Sequence, residues 1–104
     1  MYQKDLTIKK TFIRASQNHK KSNFKIAENL YKKVLKLNSN HFESIFYLGV
    51  LLIETNNLRR AKHFFQKAIQ IQPNYAPAHN NLGIIFDTLK EARKAIDSYQ
   101  KAIE

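Results

Sequence analysis

Residues 45–73, "IFYLGVLLIETNNLRRAKHFFQKAIQIQP", hold two helical patterns separated by a break. Ile45, Leu48, Gly49 and Leu52 recur at helical spacing before "ETNN" interrupts them. Leu58, Ala61, Phe64, Phe65, Ala68 and Ile69 then form a second stripe that ends at "QPN". Asn tolerates a left-handed turn and Pro cannot continue a helix, so both interruptions have a mechanism. Gly49 and Ala61 are small where the two helices must approach closely, and Phe65, one turn after Ala61, fills the space beyond.

The same unit recurs along the chain. "YKKVL", "FQKAI" and "YQKAI" begin at Tyr31, Phe65 and Tyr99, each 34 residues after the last. With units at about 8–41, 42–75 and 76–104, Leu48-Gly49 falls on Leu82-Gly83, and Ala27, Ala61 and Ala95 coincide. Ala68 falls on Ala102 and Val34, while Ser39 takes the place of Pro73 in the first unit. The periodicity predicts six helices at about 8–20, 24–37, 41–54, 58–71, 75–88 and 92–103, with Thr7 as N-cap of the first. The expected fold class is therefore all-α, a single domain over residues 1–104 built as a solenoid of three helical hairpins.

Composition agrees with helix and excludes several chemistries. Two Gly and two Pro are too few for a β fold with many tight turns, and the absence of Cys removes disulfides, thiolate nucleophiles and Cys-held zinc. The apolar run Leu48–Ile53 is far shorter than the roughly 20 residues that cross a bilayer, and "MYQKDLTIKK" has no secretory pattern. A soluble, cytoplasmic protein without membrane contact is expected. The net charge of +10 is uneven: residues 1–41 hold ten Lys/Arg against Asp5 and Glu28, whereas residues 76–104 balance four against four. Such asymmetry marks either a surface for an acidic partner or nucleic acid, or a bias towards Lys on solvated helix faces.

The residues that carry the period closely resemble the tetratricopeptide repeat, with its W-x2-L-G-x2-Y, A-x3-F and P pattern. Here the pattern is Ile45-x2-Leu48-Gly49-x2-Leu52, Ala61-x3-Phe65 and Pro73, repeated as His79-x2-Leu82-Gly83-x2-Phe86 and Ala95-x3-Tyr99. In the first unit Thr11, Arg14, Ala15 and Asn18 replace the signature residues of the opening helix, as an N-terminal cap would, while Ala27-x3-Tyr31 keeps the pattern. Ser22 and Lys90 stand where the family usually has a turn glycine. The resemblance implies a right-handed α-α superhelix that binds a peptide or protein segment in a concave groove lined by the first helix of each unit. The stretch from Leu6 to Ile45 is also similar to the opening repeat of bacterial arrays that precede a transferase domain.

Carried over position by position, the groove implied by the resemblance is Lys9, Phe12, Ile13, Ser16, His19 and Lys20 in the first unit. The second unit supplies Glu43, Phe46, Tyr47, Val50, Ile53 and Glu54, and the third Pro77, Asn80, Asn81, Ile84, Asp87 and Thr88. Phe12, Phe46, Val50, Ile53 and Ile84 would make an apolar floor, unless some pack between helices or against Tyr2 and Leu6 of a folded-back N-terminal segment. Two specialised uses of the family do not fit. A clamp for a C-terminal carboxylate needs Lys and Asn where Phe12 and Ser16 stand, Asn at Tyr47, and Lys and Arg at Pro77 and Asn81, and none is the residue required. The Asn ladder of the O-GlcNAc transferase repeats needs Asn at Ile13, Tyr47 and Asn81, and only Asn81 complies.

No enzyme is expected. Gly49 and Gly83 both lie within helices, so there is no phosphate loop, and no serine sits in a nucleophile elbow. His19, His41, His63 and His79 have no metal-ligand spacing and are expected on exposed helix surfaces, so neither metal nor cofactor is foreseen. Two alternatives to peptide binding remain. Lys20, Lys21, Lys25, Lys32, Lys33 and Lys36 on the first helical pair could follow the phosphates of a nucleic acid. Ile96, Tyr99 and Ile103 of the last helix, with no closing helix after it, would present apolar surface for self-association or for the next unit of a longer array.

Overall fold

The computed structural model describes residues 2–104. They form α1 (Tyr2–Lys20), α2 (Phe24–Leu37), α3 (Phe42–Glu54), α4 (Leu58–Ile71), α5 (Ala76–Thr88) and α6 (Ala92–Ile103), with no strand among them. Five helices start within a residue of the sequence expectation, and α1 departs from it. That helix begins six residues early, so Thr7 lies inside it and is not its N-cap. Tyr2 and Leu6 continue the helix with exposed side chains and do not fold back over the groove residues.

The helices pair as hairpins, α1 with α2, α3 with α4 and α5 with α6, and successive hairpins stack through α2 on α3 and α4 on α5. The result is an all-α superhelix of 45 × 26 × 18 Å. Each second helix buries one narrow stripe. In α2 it is Ala27, Leu30, Tyr31 and Val34, and in α4 it is Ala61, Phe65 and Ala68. Helix α3 has a hairpin partner on one side and neighbouring hairpins on the others, so it also buries Phe46 and Leu51 beyond its Ile45, Leu48 and Leu52 stripe.

Within the second and third hairpins the spacing is set by a glycine under an aromatic ring. A Cβ placed on Gly49 would lie 2.8 Å from Cζ of Phe65, and one on Gly83 would lie 2.5 Å from Cε1 of Tyr99. Ala15, fully buried, holds the corresponding place in the first hairpin.

One turn geometry closes all three hairpins. Ser22, Asn56 and Lys90 each adopt φ of 62–63°. The next residue's N–H reaches back to the last turn of the preceding helix: Asn23 to Asn18 O at 2.9 Å, Asn57 to Leu52 O at 2.6 Å, Glu91 to Phe86 O at 2.7 Å. Ser22, Asn56 and Lys90 donate to His19, Ile53 and Asp87, which completes a Schellman ending in each case. The residue after the left-handed position then opens the following helix, its carbonyl accepting from Ala27, Ala61 and Ala95. Ser22 and Lys90 thus adopt the glycine conformation without the glycine.

Two substitution sets test this account. Gly49→Ala should lower stability by about 1 kcal/mol or more, because fully buried Phe65 has no room to move and overpacking outweighs the gain in helix propensity. Gly83→Ala should cost less, since half-buried Tyr99 can swing outward. Urea unfolding of both variants reads the order. Lys90→Gly, which relieves a left-handed side chain, should raise stability by about 0.5–1 kcal/mol in the same measurement.

Candidate peptide-binding groove

Helices α1, α3 and α5, the first of each hairpin, are brought side by side, and their shared face carries the residues that the sequence singled out. Among them Lys9, Asn80 and Asp87 are exposed, and Phe12, Ser16, His19, Val50, Ile53 and Asn81 are half-buried. Tyr47 and Ile84 stand out as large apolar side chains left 42% and 40% exposed. Phe46 corrects the expectation of a floor residue, since only 6% of it is exposed. Its ring packs on Phe65, Tyr47 and Tyr75 at centroid distances of 5.6, 5.2 and 5.2 Å, so it belongs to the packing between hairpins.

Ser16, His19, Tyr47 and Val50 converge on one cleft of about 320 Å³, completed by Lys20, Ser22, Tyr31 and Glu54. Asn80, Asn81, Ile84 and Asp87 lie outside it, further along on α5. At the cleft three helices are tied by one polar chain. His19 Nδ1 is 2.9 Å from the Tyr31 hydroxyl, and its Nε2 is 2.5 Å from Glu54 Oε1. With Nε2–H donating to the carboxylate, Nδ1 is left to accept from the Tyr31 O–H, and all three groups are satisfied. Phe12 extends the contact across helices, 6.1 Å from Tyr31 and 6.4 Å from Tyr47 between centroids.

The histidines also depart from expectation. His63 alone is exposed; His79 is 5% exposed, with Nε2 2.7 Å from the Pro73 carbonyl, and half-buried His41 caps α3 by accepting from the Ser44 N–H at 3.3 Å. His19, His41 and His79 thus each have a hydrogen-bond partner, as buried and half-buried polar groups need. Tyr31, which the sequence marks only as the aromatic of the Ala27-x3-Tyr31 pattern, lines the cleft as well. The available signal was its hydroxyl: Phe65 takes the same position in the next unit, so a buried Tyr at 31 needs a hydrogen-bond partner. Among the described residues no group of three or more His, Asp or Glu converges as a metal site. None of the helices is long and apolar enough to cross a membrane. On α6, Ile96 and Ile103 are exposed, whereas Tyr99 is half-buried over Gly83.

Burial pushes the Tyr31 phenol up to about 12, with Tyr47 and Glu54 adding to the rise. Folding therefore favours its neutral form, and that stabilisation is present below the usual phenol pKa of about 10 and lost as pH rises through 12. Glu28 behaves oppositely. Lys32 at 2.7 Å and Arg60 at 2.8 Å hold its carboxyl below the usual range, joining α2 to α4 with a contribution that fades in acid. A pH series of urea unfolding should show stability falling between pH 10 and 12, with Tyr31→Phe removing most of that fall.

Comparison with known proteins agrees with this geometry. Tetratricopeptide repeat family models match residues 20–82 and 76–104. Among solved structures, a crystal structure of MamA superposes with a TM-score of 0.89 at 19% identity, covering 92% of this chain and 56% of that one. A second MamA crystal structure gives 0.88 at 28% identity, covering 93% and 53%, and MamA 41-end from Desulfovibrio magneticus RS-1 gives 0.87 at 24%, covering 92% and 54%. The chain thus spans about half the length of these structures. No curated protein matched its sequence. With a family model over more than half its length and a 34-residue hairpin recurring three times, the chain belongs to the tetratricopeptide repeat family.

Proposed function

We propose that this chain is a non-catalytic interaction scaffold that holds a peptide or protein segment along the face shared by α1, α3 and α5. Units 8–41, 42–75 and 76–104 would act together as one module over residues 1–104, in the cytoplasm. The observation that carries the reading is the exposure of Tyr47 and Ile84 on adjoining first helices, beside half-buried Phe12, Val50 and Ile53. Large apolar side chains grouped on one face, within a chain this rich in charge, favour a contact surface over a solvated one. Tyr47 is the best anchor, since an aromatic ring supported by Phe46 and Phe12 loses little freedom on binding.

A second reading, an anionic partner such as a nucleic acid, draws on Asn29, Lys32, Lys33 and Lys36, which frame a shallow cleft on α2. Self-association through exposed Ile96 and Ile103 is the remaining alternative.

A pull-down from the source cell, compared between the wild type and a Tyr47→Ala, Ile84→Ser double variant, separates these readings. The groove reading expects the variant to keep its far-UV circular dichroism and to lose its captured protein by about tenfold or more. Capture that is unchanged by the variant but vanishes when salt is raised would move the site to the lysines of α2. Phe46 is unsuitable for this test, because removing a buried Phe ring costs about 3–5 kcal/mol of folding stability.

A further inference from the structure

Charge is sorted among the helices that follow α1, which itself carries five Lys and Arg against Asp5. The chain has 18 Lys and Arg, yet neither α3 nor α5 contains one. These two helices carry Glu43, Glu54 and Asp87 in their place. The second helices are the reverse. α2 has four Lys against Glu28, and α4 has Arg59, Arg60, Lys62 and Lys67 with no acid.

The position of two of these acids has no local explanation. Glu54 is the last residue of α3, and Asp87 is the last but one of α5. A carboxylate in the last turn opposes the helix dipole, where a cation would help by about 0.3–1 kcal/mol. Among the described residues neither forms an ion pair with a Lys or Arg: His19 holds one oxygen of Glu54, and Asp87 has no ion pair. The side chains of Glu43 and Glu54 are 58% and 44% exposed, and Asp87 is exposed as well. Tyr47, Val50 and Ile84 lie between Glu43 at one end of these helices and Glu54 and Asp87 at the other.

Resting on the groove reading above, we propose that the segment held there is cationic. It places a large apolar or aromatic side chain on Tyr47 and Val50 and directs neighbouring Lys or Arg side chains to Glu54 and Asp87. The arrangement also selects against other occupants. An acidic segment or a nucleic acid lying along α3 and α5 meets carboxylates with no Lys or Arg on either helix, the cations of this face, Lys9 and Lys20, being on α1, and such like-charge contact suppresses wrong partners. At physiological ionic strength screening acts over about 8 Å, so the acids of α3 and α5 act on the part of the face that these two helices build despite the positive charge of the whole chain.

The test is selection from a random peptide display library on the immobilised chain, with recovered peptides sorted by whether Tyr47→Ala abolishes their binding. Tyr47-dependent peptides should be enriched in Lys and Arg around a large apolar residue. For the tightest of them, fluorescence anisotropy should show Glu54→Gln and Asp87→Asn each weakening binding about threefold or more, and about tenfold together. Glu54→Gln keeps an oxygen for His19, so loss of the charge is read without loss of the polar chain. Tyr47-dependent peptides that are acidic or uncharged, or that ignore both substitutions, overturn the cationic segment and leave the groove standing. If no recovered peptide depends on Tyr47, the groove reading falls, and the cationic segment falls with it.

Discussion

Close approach of two helices within each hairpin is the constraint on which everything else rests. Gly49 lies under the ring of Phe65 and Gly83 under that of Tyr99, with no room for a further carbon at either. A bare backbone facing a flat ring lets the helices pack tightly enough that Ile45, Leu48, Leu52, Ala61 and Ala68 are all fully buried. Larger residues at 49 or 61 would push the hairpin open, and the stacking surface that it offers to its neighbours would change.

The turns turn this packing into a superhelix. The same left-handed residue and the same pair of reach-back hydrogen bonds recur at Ser22, Asn56 and Lys90. Each hairpin therefore leaves its turn in the same direction, and stacking α2 on α3 and α4 on α5 repeats one relation. Repetition aligns the first helices on a common face. Polar groups buried by the stacking find partners at the seams: His79 on the Pro73 carbonyl, and His19 between Tyr31 and Glu54. The His19–Glu54 bond joins the first hairpin to the second, so the geometry of the face and the cohesion of the stack depend on each other.

Much of this was legible from residue types alone. Helix, break and helix could be read from periodicity, and the 34-residue echo marked which positions are equivalent. The start of α1 was not, because "MYQKDL" has too little apolar periodicity to declare a helix, and a plausible cap at Thr7 offered an earlier stop. The groove was legible as a set of positions but not as a surface. Phe46 and Tyr47 are adjacent on α3, both aromatic and both at groove positions, yet one is 6% exposed and the other 42%. Phe65 of α4 and Tyr75, just before α5, cover the first ring and leave the second open.

The sequence by itself determined that the chain is three helical hairpins with small residues facing aromatics, since these features depend on spacings of three, four and 34 residues along one chain. Tertiary structure decided which side chains of the inner helices meet solvent and which polar groups meet each other. Tyr31, His19 and Glu54 come from three different helices: packing within the first hairpin brings His19 to Tyr31, and the way the second hairpin stacks on the first brings Glu54 to His19.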